Sequence, residues 1–370
     1  MERLFKLSQR GTDVKTEVIA GLTTFMTMAY VLAVQPAAIC GGDAAVVDVN
    51  GVVISKSAIM ISCALVSGLI TMLMAFYTNL PFALSTGMGS NFILGAMIQS
   101  QAISFGSAML ITLVSGIIFV ALTVFGLRDL IVRVIPKNLK IAISASIGFF
   151  IAYLGFKNSG IGSFANGIAL GDITAPAVLL SIGGLLLMIV LNALNVKGAI
   201  LISILAITLI GIPCGVTHIS GVAAVPDFSD LSNVMLNFDL SNVFTASGLI
   251  LVFVCFFGDF FSTLGTVLAV AGRANMLDEN GNLPGIERPF LVDAIGTCVG
   301  ALTGNTTVTT YVESTSGVEA GGRSGLTAES QASATPKLWN TSAGERQPRH
   351  FLGRELIRST MESTNSCETA

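Results

Sequence analysis

The chain alternates long apolar blocks with short polar ones, and the blocks are far longer than the four to eight residues of a buried strand. Ten apolar segments lie near residues 17–39, 57–77, 81–99, 103–127, 137–156, 173–193, 196–213, 246–271, 289–303 and 304–319. Segments of about 20 apolar residues cross a bilayer as helices, because a helix closes its own backbone hydrogen bonds where no water is available. The third and tenth segments are shorter than the rest and richer in Gly, Ser and Thr. A polar stretch over 214–245 carries Asp227, Asp230 and Asp239 and is expected outside the bilayer.

Composition agrees: 52% of the residues are apolar and 11% charged, against about 25% charge in soluble domains. This predicts an all-α integral membrane protein. The first block follows a charged, amphipathic start without a small-residue cleavage site, so it reads as a retained span. Ten of the 41 charged side chains, and the single Trp339, fall within residues 329–370, where no apolar block occurs.

The cationic residues set the orientation, because Lys and Arg near span ends collect on the cytoplasmic side. With a cytoplasmic amino terminus, that side takes Arg3, Lys6, Arg10, Lys15, Arg128, Arg133, Lys137, Lys140, Lys197, Arg273, Arg288 and Arg323. The opposite side takes only Lys56 and Lys157. This separation supports the order and number of the spans.

An internal echo adds architecture. Phe25-Met-Thr-Met-Ala-Tyr-Val-Leu-Ala-Val34 in the first segment matches Phe261-Ser-Thr-Leu-Gly-Thr-Val-Leu-Ala-Val270 in the eighth at six of ten positions. A period of seven spans inverts the second copy relative to the first, as in secondary transporters with inverted repeats. The Gly-rich third and tenth segments then occupy equivalent places, where interrupted helices point to a binding site.

Two carboxylic residues stand inside apolar segments. Asp259 lies within the eighth and Glu313 within the tenth. A charge at the centre of a membrane helix costs about 2.5–3.5 kcal/mol on insertion scales, and no Lys or Arg lies deep in a span to pair with either. Both are candidates for a polar binding site that takes up protons; the alternative is that each caps a helix break or bonds nearby backbone. Asp293, near the start of the ninth segment, suits a coupling role or a structural one equally. Asn91, in Gly87-Met-Gly-Ser-Asn91, is the polar counterpart in the third segment. The glycines there permit extended backbone and close ligand approach, and the nucleotide-loop reading lacks its strand, helix and acidic partner. The Ser and Thr residues from Thr303 to Ser316 are dense enough to satisfy backbone groups freed by a helix break.

Other chemistry is excluded or bland. Cys40, Cys63, Cys214, Cys255, Cys298 and Cys367 show no paired spacing, so neither a disulfide framework nor a zinc site follows. His218 and His350 have no metal-ligand neighbourhood. No nucleophile–base pair appears, so an enzyme lacks its parts; no cofactor is expected.

Four ordered motifs carry a family likeness: Ala20-Gly-Leu-Thr-Thr-Phe-Met-Thr-Met-Ala-Tyr30, Gly87-Met-Gly-Ser-Asn91, Asp259-Phe-Phe-Ser-Thr-Leu-Gly-Thr266, and Thr309-Thr-Tyr-Val-Glu-Ser-Thr-Ser-Gly-Val318 with Gly321-Gly-Arg-Ser-Gly-Leu-Thr-Ala328. Over residues 1–328 the chain resembles the adenine/guanine/hypoxanthine (purine) permease branch of the nucleobase–cation symporter family. The resemblance implies a seven-plus-seven inverted-repeat fold with core and gate domains, about ten of its fourteen spans being present. It implies import of purine nucleobases with protons by alternating access across the bacterial cytoplasmic membrane. The implied binding residues are Asp259, Glu313, Asn91, Ala29, Tyr30 and Thr310, with Asp259, Glu313 and Asp293 in proton coupling and Phe256, Phe257, Phe260 and Phe261 as candidate ring faces. Purine, protons and the lipid bilayer are the implied partners; a homodimer is left open, and no nucleic acid is implied.

The implied division is a cytoplasmic terminus (1–16), core repeats over 17–127 and 246–328, a gate half over 128–213, an extracytoplasmic loop over 214–245 and an aberrant polar tail over 329–370. Two departures stand out: Ser262 occupies a position where many members carry a second acid, and the likeness stops after Ala328, where the family continues with four more spans. Truncation or a frameshift is expected at that point. A non-functional permease fragment, an anion transporter of the same fold and a channel or receptor are the alternatives.

Overall fold

A computed structural model describes residues 2–335 apart from 42–43, 127–148, 150–151, 154, 158, 164–168, 195, 197–198, 218–227, 229 and 280–282. Most of the expected fifth span, His218, His350, Trp339 and the tail beyond 335 lie outside the described residues.

Four of the long helices begin where a polar side chain satisfies a free backbone N–H. Asp13 opens α1 (Val14–Met28), Ser55 opens α3 (Lys56–Thr78), Ser104 opens α5 (Phe105–Val124) and Thr245 opens α8 (Ala246–Arg273). The other principal helices are α2 (Val31–Cys40), α4 (Met88–Gln99), α6 (Pro176–Ala193), α7 (Ala199–Gly211), α9 (Glu287–Leu302), α10 (Ser314–Glu319) and α11 (Gly325–Ala334). Among the described residues, five segments are long and apolar enough to cross a membrane: 14–40, α3, α5, α6 and α8.

The first segment, expected continuous over 17–39, is interrupted at Ala29–Tyr30. The regular ladder gives way there to tighter bonds, Leu32 N–H to Ala29 O and Ala33 N–H to Tyr30 O, of the short-range type common at helix irregularities. Pro36 lies further along in α2, where it removes the bond to the Leu32 carbonyl.

The third and tenth segments are interrupted as expected, and their extended parts pair with each other. Strand β3 (Leu84–Thr86) runs antiparallel to β4 (Val308–Thr310), with Leu84 opposite Thr310 and Thr86 opposite Val308. Gly87 N–H to Thr307 O at 2.6 Å and Tyr311 N–H to Ala83 O at 3.0 Å extend the ladder. Backbone groups in hydrocarbon must be satisfied within the protein; here backbone meets most of that demand and Ser and Thr hydroxyls supplement it, as Thr71 does at Leu84. Gly87 must be small, since a Cβ there would lie 2.6 Å from Thr307 Oγ1.

Around this crossing, α9 packs against α3 and α5, and α8 packs against α5. A buried cluster of Phe119, Phe256, Phe260, Phe261 and Phe290 joins α5, α8 and α9. Helices α6 and α7 pack on each other at Gly184 and Ile207, and Val178 is the only buried residue of α6.

Two polar regions outside the long helices carry structure of their own. A hairpin of β1 (Ala45–Val47) and β2 (Val53–Ser55) follows α2. Within 214–245, expected outside the bilayer, Val234 is buried and Leu236 N–H bonds Leu302 O at 2.9 Å, so residues 234–236 pack over the end of α9. Asp239 anchors it, accepting from Ser104, Ser241 and Asn50. These donors, Ser104 first, hold the Asp239 carboxyl well below the usual carboxylate range.

Residues 329–334, expected in the polar tail, are helical. Helix α11 runs through Ala328 to Ala334 against α1 and α3, with Gln331 and Ala332 buried. Small residues let it approach: a Cβ on Gly325 would strike the Ala75 carbonyl.

Candidate functional site

The predicted acids gather around the β3–β4 crossing. Asp259 sits mid-helix on α8, 5% exposed, and accepts the Thr297 hydroxyl of α9 through Oδ2 at 2.7 Å. Its Oδ1 is buried without a hydrogen-bond partner among the described residues. Glu313 stands directly before α10 but does not cap that helix. Its carboxylate turns to the kink in the first segment and accepts the Tyr30 hydroxyl at 2.7 Å. The helix-capping alternative therefore applies to neither acid.

Asp293 lies inside α9, not at a helix end, and is fully buried. Oδ1 accepts the Thr310 N–H at 2.8 Å and hydroxyl at 3.1 Å, and Oδ2 accepts the Thr263 hydroxyl. Asp293 thus ties β4 to α8 and α9. Thr310, expected at the ligand, spends both donors on Asp293 and is turned away from open space.

Asn91 is brought to the crossing by α4 but faces an amide chain. Its Nδ2 donates to Gln35 Oε1; Gln35 Nε2 donates to Asn305 Oδ1 at 3.5 Å; Asn305 Nδ2 donates to Ser62 Oγ at 2.6 Å. Asn91 Oδ1 is left without a partner among the described residues. Ala29 lines a small cavity at the kink with Phe25, Met28, Leu32, Ser67 and Ser85. Of the four candidate rings, Phe256 and Phe260 pack edge-on to Phe119 at 6.0 and 5.8 Å and belong to the core; Phe257 stacks with Phe261 at 5.8 Å.

With this geometry in view, likeness to known proteins decides the family. Residues 15–329 match the model of the Permease family, Xan_ur_permease. The relatives include a permease of Methanocaldococcus jannaschii, 37% identical over 88% of this chain and 73% of its own length. They also include the adenine permease AdeQ of Escherichia coli, 36% identical over 89% and 72%, and the guanine/hypoxanthine permease PbuO of Bacillus subtilis, 34% over 88% and 74%. The chain belongs to the Permease family. Its fold resembles the transmembrane domain of a cyanobacterial bicarbonate transporter, BicA, with a TM-score of 0.62 at 13% identity, over 89% of this chain and 82% of that one. The permease is a multi-pass membrane protein with the seven-plus-seven inverted-repeat transporter fold.

Sequence reasoning missed several polar residues of this permease. Gln35, in the middle of the amide chain, is one; its only local signal was a lone amide in an apolar block, next to Pro36. Thr263 and Thr297 were hidden among many Thr residues, although each follows an Asp by four positions. Glu17 is fully buried in the first turn of α1. It accepts the Arg323 N–H at 2.8 Å, the Ser324 N–H and hydroxyl at 3.3 and 2.8 Å, and the Thr327 N–H and hydroxyl at 3.1 and 2.6 Å. It thereby caps α11 from another helix, a role that no local pattern announces.

Proposed function

We propose that this permease carries purine nucleobases across a cytoplasmic membrane together with protons. The observation that carries the reading is the free, buried Oδ1 of Asp259 beside the crossed breaks. A purine edge rich in N–H donors is a chemical complement to such an acceptor, and Glu313, held by Tyr30, supplies a second carboxylate on the same frame. Relatives named as adenine and guanine/hypoxanthine permeases support the substrate class.

Asp259, Glu313 and Asn91 bind the base, with Ala29 and Tyr30 beside it at the kink and Thr310 acting indirectly through Asp293. Asp259 and Glu313 exchange the protons. The core, residues 17–127 and 246–328, moves against the gate half at 128–213, exposing the site to one side and then the other. The amino terminus faces the cytoplasm, as the cationic residues favour. An anion carrier of the same fold would place a basic side chain at the crossing, where three acids stand instead.

Uptake of labelled adenine, guanine, hypoxanthine, xanthine and uracil by cells or proteoliposomes containing the full chain tests the reading. Saturable, pH-dependent uptake of purines over uracil is the expected result. Absence of uptake of every base by correctly inserted protein would defeat it.

A further inference from the structure

Asp259-Phe-Phe-Ser-Thr263 on α8 and Asp293-Ala-Ile-Gly-Thr297 on α9 share one spacing, an Asp followed by a Thr four residues on. That spacing puts both side chains on one face of a helix. The two faces meet and exchange bonds: Thr297 of α9 donates to Asp259 Oδ2 of α8, and Thr263 of α8 donates to Asp293 Oδ2 of α9. Both pairs also grip β4. Thr297 Oγ1 accepts the Val308 N–H at 3.1 Å, and Thr263 Oγ1 lies 3.0 Å from Thr309 Oγ1.

The exchange is reciprocal, but the two carboxyl groups are not equivalent. Asp293 receives three donors spread over both oxygens, one of them a backbone N–H that cannot be turned round. Each Thr hydroxyl has a single proton. Once Thr263 gives its proton to Asp293, it must accept from Thr309, so the hydroxyl chain runs in one direction toward Asp293. Placing a proton on Asp293 Oδ2 would require reversing Thr263 and Thr309, while placing one on Oδ1 would set it against the Thr310 donors. A proton on Asp259 Oδ1 displaces nothing.

The groups that could complicate this are few. Cys255 on α8 and Asp293 and Cys298 on α9 face Asp259. Helix α10 brings Glu319, paired with Arg273 at 3.1 Å, and is preceded by Glu313, bound to Tyr30. Helices α4 and α5 and strand β4 contribute no titratable side chain.

We propose that the two carboxyls divide the work: Asp293 is a fixed acceptor that positions β4, and Asp259, through Oδ1, is the one member of the pair that exchanges a proton and accepts from the transported base. The division between the acids stands on their hydrogen bonds alone; the base contact rests on the transport reading above.

Infrared difference spectra of the purified full chain in lipid, taken between acidic and neutral buffer, read protonated carboxyl C=O stretches directly. A component of the wild-type spectrum should be lost in Asp259→Asn and kept in Asp293→Asn. Loss in Asp293→Asn with retention in Asp259→Asn, or retention in both, overturns the division. If Asp293→Asn does not fold, the Asp259→Asn spectrum decides alone, since persistence of every component there is sufficient to reject it. Thr263→Val should lower purine uptake several-fold while leaving the Asp259 component in place, and Thr263→Ser should restore uptake; equal uptake by both variants counts against the positioning role. Wild-type protein that shows the Asp259 component but takes up no base would sink the transport reading and leave the division intact.

Discussion

The two arms that cross at the centre of this permease share a backbone plan and differ in chemistry. In the first, β3 leads through Gly87 into α4, and the polar side chain at its head, Asn91, joins a chain of neutral amides ending on Ser62. In the second, β4 leads into α10, and the polar groups around it are Asp259, Asp293 and Glu313, with Thr and Tyr hydroxyls as donors. A duplicated frame thus carries a neutral arm and an acidic arm. The neutral arm keeps its charge whatever the pH, because amides do not titrate; the acidic arm can gain and lose protons. On the transport reading proposed above, proton exchange belongs to the acidic arm alone.

The largest effect is expected from neutralising the acidic arm. Glu313→Gln should abolish measurable uptake while leaving membrane insertion unchanged, since a carboxylate acceptor for the base and a proton carrier are lost at once. Binding of labelled purine should weaken by about 1.5–3 kcal/mol, the worth of a hydrogen bond to a charged group. Unchanged uptake would remove Glu313 from the site. Next comes Glu17→Ala, which touches neither arm but unseats α11: the Arg323 and Ser324 N–H groups and two hydroxyls lose their acceptor, while the Thr327 N–H keeps only the Ser324 carbonyl at 3.2 Å. Each unsatisfied buried group costs about 1–3 kcal/mol, so the unfolding midpoint in detergent should drop by many degrees. A midpoint equal to wild type would contradict the cap.

A smaller effect is expected in the neutral arm. Asn91→Leu leaves Gln35 Oε1 without its donor and should cost about 1–3 kcal/mol of stability. It should lower uptake less than Glu313→Gln does and leave the pH profile of uptake unchanged; a shifted profile would mean that the arms are not chemically separate. The smallest effect involves Asp239, at the fold-back over α9. Its folded-state carboxyl titrates below the ordinary value, so its contribution is complete above about pH 4 and is lost as pH falls further. Asp239→Asn should remove that acid sensitivity by lowering the melting point at neutral pH, where the carboxylate contributes, while leaving it little changed near pH 3. Thermal melts between pH 3 and 7, comparing the two proteins, read the difference.

Much of this was legible along the chain. Block lengths marked the long apolar helices, and dense Gly, Ser and Thr betrayed the third and tenth interruptions. Buried acids in apolar segments marked Asp259 and Glu313, because hydrocarbon makes every unexplained charge conspicuous. What stayed hidden depends on partners distant in sequence. The break at Ala29–Tyr30 falls inside a continuous apolar block that composition alone does not interrupt. Glu17 looked like one more charge in an amphipathic start, and nothing near it names Ser324 or Thr327 as donors. Asp293 was placed near a helix end because apolar composition locates span boundaries poorly, whereas the helix begins at Glu287 and takes Asp293 past its first turn. Residues 329–334 looked like tail for a related reason: α11 packs by small size against α1 and α3, and hydropathy does not register smallness.

The strand crossing also constrains how the molecule is made. The N–H of Gly87 has its partner on Thr307, and Ala83, Leu84 and Thr86 face residues 308–311, more than 200 positions later on the ribosome. Until that later stretch is synthesised, an extended third segment would leave bare amides in lipid at several kcal/mol apiece. The nascent chain must therefore keep this segment coiled, or shelter it beside the insertion machinery, and uncoil it only when its counterpart arrives. Assembly of the first half is in this sense provisional, completed by a strand from the second.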